Sequence, residues 1–127
     1  MIVLDEHLHR SQRERLAGWH ITVRQIGYDI AAKGLLDSAV VPLLLTLRRP
    51  TFATLDSDFY TPFLCHPRYC LLFLSVAQLE AAGFVRRFLR HPQFNTQAKR
   101  MGGVARASHA GISVWRPHAR QPDWVPW

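Results

Sequence analysis

The stretch "TFATLDSDFY", residues 51–60, carries the strongest structural signal in the chain. It opens with an apolar, partly β-branched run that is typical of a buried β-strand, and Pro50 introduces it. Asp56 ends the run, Ser57 and Asp58 follow on a turn, and two aromatic residues come next. The chain has only nine acidic residues. Two of them are therefore expected at the carboxyl end of one strand.

On both sides of this stretch, strand-like and helix-like segments alternate. The expected strands are residues 1–5, 19–26, 50–56 and 69–76, followed by a hairpin over 102–117 that turns at His109 to Gly111. The expected helices are residues 6–18, 39–49 and 77–90, with a loop over 27–38 and a C-terminal tail over 117–127. The alternation predicts one α/β domain over residues 1–127 with a largely parallel sheet.

Two segments add detail to this prediction. The run "YCLLFLSV", residues 69–76, is continuously apolar, as expected for a strand that is covered on both faces, and it places Cys70 in the core. Pro42 falls inside the helix predicted over 39–49. It must lie in the first turn or just after it, because a proline further along would break the helix.

The composition limits the class of protein. The chain has 127 residues, of which 48% are apolar, enough for one globular domain with a core. No apolar run approaches the ~20 residues needed to cross a bilayer, and the N-terminus passes from apolar to charged, unlike a signal peptide. We therefore expect a cytoplasmic protein without a membrane anchor. Two cysteines are too few for a disulfide scaffold.

The charge favours a polyanionic partner. Sixteen basic residues against nine acidic ones give a net charge of +7, and fourteen of the sixteen are arginine. Arginine binds phosphate through its planar guanidinium, so nucleic acid is the natural partner class. Arg86, Arg87 and Arg90 fall mostly on the polar face of the helix over 77–90 and are the predicted RNA contacts. The alternative is that they form an ordinary solvated face.

Four aspartates are expected to meet at one edge of the sheet. In parallel α/β sheets, ligands bind beyond the carboxyl ends of the strands. Asp5 ends the first strand, Asp56 ends the third, Asp58 follows it, and Asp37 stands near the start of the intervening helix. Clustered carboxylates repel one another unless a cation neutralises them. Oxygen ligands favour Mg²⁺ or Mn²⁺, and the reaction indicated is metal-assisted hydrolysis of phosphodiesters.

Four motifs resemble the short PIN-like proteins. "MIVLDEHL", residues 1–8, resembles their opening L-L-D-E-N-L, and "TFATLDSDFY" resembles their V-x-T-x-D-x-D-F. "GWHITVRQIG", residues 18–27, resembles G-H-D-V-x-x-V-R-x-x-G, and "LLDSAVVPLL", residues 35–44, resembles the acid-headed helix S-D-E-E-I-L. The motifs occur in the family order over residues 1 to about 75.

The resemblance implies a three-layer α/β/α sandwich and a metal-dependent ribonuclease. It names Asp5, Asp37, Asp56 and Asp58 as the catalytic metal ligands, with Thr54 as a supporting hydroxyl. Many bacterial PIN proteins are VapC-type toxins that are restrained by an antitoxin protein, and PIN domains commonly form homodimers. The implied partners are therefore RNA, a cognate antitoxin and a second copy of the chain.

The chain also departs from the family pattern. Ser38 follows Asp37 where the family often has a second acid, which leaves the site one carboxylate short. Pro42 has the capacity to shift the helix start and move Asp37 out of reach. Glu6 adjoins Asp5, but neighbouring side chains on an extended chain point to opposite sides, so we expect Glu6 at the periphery of the site.

Local alternatives remain for each piece of the site. Asp37 suits an ordinary helix N-cap, and Asp56-Ser57-Asp58 suits a plain turn. A zinc site in "CHPRYC", residues 65–70, lacks a fourth ligand. The tryptophans near the C-terminus have two uses, either stacking on bases or packing on the chain's own core or on a partner. They are Trp115, Trp124 and Trp127.

Three other functions compete with the nuclease. A haloacid-dehalogenase-type phosphatase uses D-x-D near its N-terminus, whereas this motif lies at mid-chain and is followed by Phe59. A receiver domain requires a lysine after its last strand, for which the chain has no clear candidate. The stronger alternative is a catalytically inactive PIN-like module that binds RNA or a protein.

Overall fold

A computed structural model describes all 127 residues of the chain. Its seven-stranded sheet has the order β2-β1-β3-β4-β5-β6-β7; the first five strands in this order are parallel, and β6 and β7 are antiparallel to their neighbours. The strands are β1 (Ile2–Leu4), β2 (Val23–Gln25), β3 (Thr51–Thr54), β4 (Cys70–Leu74), β5 (Val104–Ser108), β6 (Gly111–Trp115) and β7 (Asp123–Val125). The α-helices are α1 (Arg10–Gly18), α2 (Asp37–Leu44), α3 (Ala81–Arg90) and α4 (Gln97–Arg100).

Two apolar cores separate three layers. The larger core packs α1 and α3 against one face of the sheet, which we call the α1 face. The smaller core packs α2 and the β3–β4 connection against the opposite face, which we call the α2 face. The strand side chains alternate between the two cores, as period-two geometry requires: Ile2 and Leu4 face one, and Val3 faces the other. The predicted α/β/α sandwich with a mostly parallel sheet is confirmed.

The helix topology leaves part of the α2 face uncovered. From β1 to β2 the chain moves towards one edge of the sheet, and from β4 to β5 it moves towards the other edge. The helices in these two connections, α1 and α3, nevertheless pack together on the same face. The two connections therefore have opposite hand, and one is an exception to the strong preference for right-handed crossovers. Because α3 lies on the α1 face, no helix covers the α2 face over β5 to β7. Arg106 and Trp124 are exposed there.

One predicted boundary differs just after the first helix, which itself ends at Gly18 as predicted. The second strand begins at Val23 rather than at Trp19. Trp19 still donates its N–H to the carbonyl of Arg15, and Ile21 donates to that of Leu16. His20 between them has a φ of 61°. Residues 19–21 therefore still form the end of the first helix, and the chain becomes extended only at Val23.

The first helix also begins later than predicted, at Arg10 rather than at residue 6. The residues between β1 and α1 form a turn in which Leu8 donates its N–H to the carbonyl of Asp5. Pro42, by contrast, is compatible with α2 beginning at Asp37. It is the sixth residue of α2, just after the first turn, and its missing N–H removes only the hydrogen bond to the carbonyl of Ser38.

Three further features concern the C-terminal half. The hairpin predicted to turn at His109 to Gly111 is confirmed by β5 and β6. The segment described as a tail includes the edge strand β7, which pairs with β6 through three residue pairs. Phe73 in β4 is half-exposed, so the expectation that this strand is covered on both faces is wrong at its carboxyl end.

None of the helices is long and apolar enough to cross a membrane.

Candidate functional site

Asp5 is held where β1 ends. Its N–H donates to the carbonyl of Ala53 at 3.0 Å, which continues the β1–β3 ladder by one bond. Its carboxylate Oδ2 accepts a hydrogen bond from the Thr54 hydroxyl at 2.7 Å. Because β1 and β3 are adjacent and parallel, Asp5 and the residues after Thr54 emerge at the same edge of the sheet.

The side chain of Thr54 links Asp5 to Asp56. Its buried hydroxyl also accepts the N–H of Asp56 at 3.0 Å. The Asp56 carboxylate in turn accepts the N–H of Asp58 at 2.9 Å, which caps a short 3₁₀ turn. Residues 56–58 therefore do form a turn, as the local alternative proposed, and the same turn aims two carboxylates in a defined direction. The Thr54 hydroxyl therefore bridges Asp5 and the backbone of Asp56, and its supporting role at a metal site stays a prediction.

Asp37 is brought in by the loop that Glu6 anchors. Both carboxylate oxygens of Glu6 accept the N–H of Gly34, at 2.8 and 2.9 Å. Gly27, at the loop start, has a φ of +86°, and a Cβ there would lie 2.6 Å from Glu6 Oε2. The loop leads directly into α2, whose first residue is Asp37. Glu6 thus lies beside the cluster, where it holds the preceding loop.

Three of the four predicted ligands come together. Asp37, Asp56 and Asp58 each offer a carboxylate oxygen, and these atoms all lie within 4.8 Å of one another. Asp5 is outside that group but close enough to repel a charge on Asp37. Desolvation raises the pKa of Asp37, and the neighbouring Asp56, Asp5 and Asp58 carboxylates raise that pKa further. Asp37 is not the N-cap of α2, a position that Leu36 occupies.

The cluster has no basic partner. The ion pairs in the structure are Arg10–Glu14, Arg13–Asp29 and His109–Glu80, and none involves the four aspartates. The four aspartates thus have no cationic side chain within ion-pair distance, although the chain has a net charge of +7. The donors are carboxylate oxygens without sulfur or imidazole, and two of the three carboxylates are exposed. This donor set fits a hard divalent cation such as Mg²⁺ or Mn²⁺.

A cavity of about 310 Å³ adjoins the cluster on the α2 face. Apolar side chains from α2 and the β3–β4 connection line it together with two of the carboxylates. Ser38, which stands in place of a second acid, also lines it. The lining residues are Asp37, Ser38, Val41, Asp58, Phe59 and Leu64.

Gln25 is a supporting residue that the sequence analysis missed. It is 1% exposed, and its side-chain amide donates to the carbonyls of Asp5 and Leu8, at 3.1 and 2.8 Å. A longer contact of 3.4 Å reaches the carbonyl of Glu6. The amide therefore holds the turn that presents Asp5. The only sequence signal is a polar residue in a strand beside an apolar one, which does not specify such a role.

The three predicted RNA-binding arginines lie elsewhere. They belong to α3 on the α1 face, whereas Asp37 belongs to α2 on the opposite layer. The Arg86 guanidinium stacks over Trp19 at 4.5 Å, and the Arg87 guanidinium stacks over Trp127 at 4.3 Å. Arg90 is exposed near the same tryptophan. Their binding to RNA stays a prediction.

No family model matches this chain, and no curated protein or solved structure matches it either. The α/β fold with a mostly parallel sheet and the aspartate cluster at its edge define the chain as an α/β protein with a candidate cation site. The particular activity must be argued from the site alone.

Proposed function

We propose that this protein is a PIN-like endoribonuclease that uses Mg²⁺ or Mn²⁺ to hydrolyse RNA phosphodiesters. One observation carries the proposal: three carboxylates converge within 4.8 Å at the carboxyl edge of parallel strands and have no basic partner. Asp5 adds a fourth carboxylate through the Thr54 hydroxyl. The positive charge of the whole chain suits an RNA substrate.

The residues of the chain have distinct tasks in this proposal. Asp37, Asp56 and Asp58 hold the cation, and Asp5 adds negative charge beside it. Thr54 orients both Asp5 and the backbone of Asp56, as outer hydrogen bonds commonly do around metal ligands. When bound, the divalent cation would supply activation of a water nucleophile and stabilisation of the leaving oxygen.

A toxin–antitoxin pair is the biological setting we propose for this activity. It rests on the resemblance to VapC-type toxins and on the exposure of Asp37 and Asp58, which leaves both open to a partner. An arginine of an antitoxin would satisfy these carboxylates through bidentate hydrogen bonds in place of the cation. Light scattering of the chain alone, and co-expressed with the product of its genomic neighbour, tests both the homodimer and the complex. A strict monomer that ignores the neighbour would argue against this setting.

A non-cleaving module that binds RNA or a protein is the second candidate. The observation in its favour is Ser38, an exposed hydroxyl at the position where a further carboxylate would complete the site. With fewer carboxylates, the affinity for the cation falls. This candidate predicts RNA binding without Mn²⁺-dependent cleavage.

Mn²⁺ binding to the full chain separates the two candidates. Electron paramagnetic resonance counts free Mn²⁺ during titration of the wild type, the variant Asp56→Asn and the control Asp123→Asn. Asp123 is an exposed aspartate on β7, outside the cluster, so its variant removes the same charge elsewhere. We expect saturable binding that only Asp56→Asn abolishes, together with Mn²⁺-dependent cleavage of an RNA mixture that EDTA stops. Binding that both variants reduce equally would contradict a specific site.

A further inference from the structure

One row of side chains crosses the part of the α2 face that no helix covers. The strand register pairs Thr54 with Phe73, Phe73 with Arg106, Arg106 with Ser113, and Ser113 with Trp124. Paired residues on adjacent strands project to the same side of a sheet. We call these five residues the sheet row. With strands ~4.8 Å apart, the row extends over about 19 Å, from Thr54 to the edge strand.

The sheet row begins at the acidic cluster. Thr54, its first member, donates its hydroxyl to Asp5 and accepts the N–H of Asp56. Tyr60, four residues after Asp56, lies over the middle of the row. Its ring centroid is 6.3 Å from that of Phe73, and its hydroxyl lies 2.7 Å from the Ser113 hydroxyl. The chain that carries the carboxylates thus continues directly onto this surface.

Trp124 is exposed and lies against Gly111. It is 58% exposed. Its six-membered ring occupies the space above Gly111, where an added Cβ would lie 2.7 Å from Trp124 Cζ2. Gly111 is therefore required for this position of the indole. An exposed aromatic ring suits stacking on a base.

Arg106 stands in the centre of the row and has no carboxylate partner. Its guanidinium makes one side-chain contact, to the Ser75 hydroxyl at 3.3 Å. Asp123 of the edge strand pairs with Val114, whose side chain belongs to the core on the α1 face, so this acid lies on the other side of the sheet. The charge of the row itself is therefore positive, and it has no exposed aliphatic side chain.

We propose that the sheet row is a platform for single-stranded RNA, on which Trp124 stacks on a base and Arg106 pairs with a phosphate. The guanidinium of Arg106, which has no carboxylate partner, suits a phosphate, and the exposed indole of Trp124 suits a base. This inference deepens the proposed function: the strand lies along the row and reaches the aspartate cluster at its end. It replaces the α3 arginines as the main RNA contact.

Binding of a fluorescein-labelled single-stranded RNA of twelve nucleotides tests this platform by fluorescence anisotropy. The full chain is measured in EDTA, so cleavage does not interfere and the result is independent of the nuclease proposal. We expect Trp124→Ala to weaken binding by about tenfold and Trp124→Phe to weaken it less. Arg106→Gln should reduce the slope of log K against log salt by about 0.7. Circular dichroism checks that each variant is folded.

Arg90→Gln is the matched control, because it removes the same charge from an exposed arginine on the opposite layer. A duplex RNA of the same sequence, whose bases are already stacked, should bind more weakly than the single strand. Equal effects of Arg90→Gln and Arg106→Gln, or no effect of Trp124→Ala, would overturn the platform. A change in oligomeric state on Trp124→Ala, with unchanged RNA affinity, would assign this face to a protein contact instead. RNA binding that follows the row without any Mn²⁺-dependent cleavage would sink the nuclease proposal and leave the platform intact.

Discussion

The aspartate cluster and the α3 arginines are both groups of like charges, but they are stabilised in opposite ways. On α3, Arg86 and Arg87 lie over the rings of Trp19 and Trp127, so aromatic faces offset the positive charge. Around the cluster, no cation and no aromatic face compensates the carboxylates, and the pKa of Asp37 is raised. The arginines are therefore offset in part within the fold, although Arg86 Nε is buried without a hydrogen-bond partner, whereas no group of the fold offsets the carboxylates.

This difference indicates which charged residues of a strongly basic chain are the better candidates for function. An excess of arginine indicates a polyanionic partner, but an arginine already stacked on a tryptophan contributes to packing as well as to charge. The carboxylates are the minority charge, and their gathering without partners opposes folding in the absence of a cation. Substitutions in the two regions should therefore separate function from stability.

The largest expected effect concerns activity at the cluster. Asp56→Asn should reduce Mn²⁺-dependent RNA cleavage by more than about 100-fold, because it removes a ligand charge where the cation would bind. Asparagine caps a turn as well as aspartate does, so the free energy of unfolding should change by less than about 1 kcal/mol. Initial rates of cleavage and chemical denaturation measure the two quantities. Full cleavage by the purified variant would remove Asp56 from the site.

The next effect concerns the stability of the fold where the α3 arginines pack on tryptophan rings. Trp19→Ala should lower the free energy of unfolding by about 2 kcal/mol, because the half-buried indole packs on the larger core and lies beneath two guanidiniums. Mn²⁺ affinity should stay unchanged. Denaturant titration measures the loss. Leu79→Ala, at an exposed leucine, is the control and should change the stability by less than about 0.5 kcal/mol. A large loss of Mn²⁺ affinity in Trp19→Ala would contradict the separation of the two regions.

A smaller effect is expected from Thr54→Val, which keeps the shape and removes the hydroxyl between Asp5 and Asp56. Mn²⁺ affinity should fall about tenfold, the scale found when outer hydrogen bonds to metal ligands are lost. Thr51→Val is the matched control, since Thr51 is also a buried β3 threonine and its hydroxyl accepts from Arg100 on the α1 face. It should lower stability without changing Mn²⁺ affinity. Equal losses of affinity in both variants would point to a general effect on β3.

The smallest effect is the pH dependence of stability in Asp37→Asn. In the metal-free fold the pKa of Asp37 is raised above its ordinary value of 3.8, so its ionisation opposes folding once the pH exceeds that value. The variant should be more stable than the wild type at pH 7 by less than about 1 kcal/mol, since the group is exposed and its charge also favours the start of α2. The gain should vanish as the pH falls below 3.8.

Thermal denaturation from pH 3 to pH 8 follows this difference, and Asp123→Asn outside the cluster should show none. Adding Mn²⁺ should reverse the order, because the wild type gains binding energy that the variant lacks. A stability gain that persists unchanged at low pH would rule out repulsion within the cluster as its cause.

Much of the architecture and of the site followed from local patterns in the sequence. The order of strands β1 to β6 and of helices α1 to α3, the hairpin after the fourth strand and the exit of Asp56 at a strand end were predictable, because they depend on the spacing of apolar residues and on turn chemistry. The proximity of Asp37 to Asp56 followed from one general rule about the carboxyl ends of parallel strands. The start of the second strand at Val23 was not predictable, because the hydrogen bond from the Ile21 N–H to the carbonyl of Leu16 keeps the preceding residues at the helix end.

Other features exist only in the tertiary structure. The sequence shows that Gln25, Glu6 and Trp124 are present, but not that they meet the turn after β1, the loop before α2 and Gly111. These contacts join residues far apart in the chain, so no local pattern encodes them. The choice of face for α3 is the clearest case, because the preference for right-handed crossovers would place α1 and α3 on opposite faces, and they share one. The sequence by itself determined an α/β fold with carboxylates at one edge of the sheet. Tertiary packing decided that no helix covers the part of the α2 face beside them.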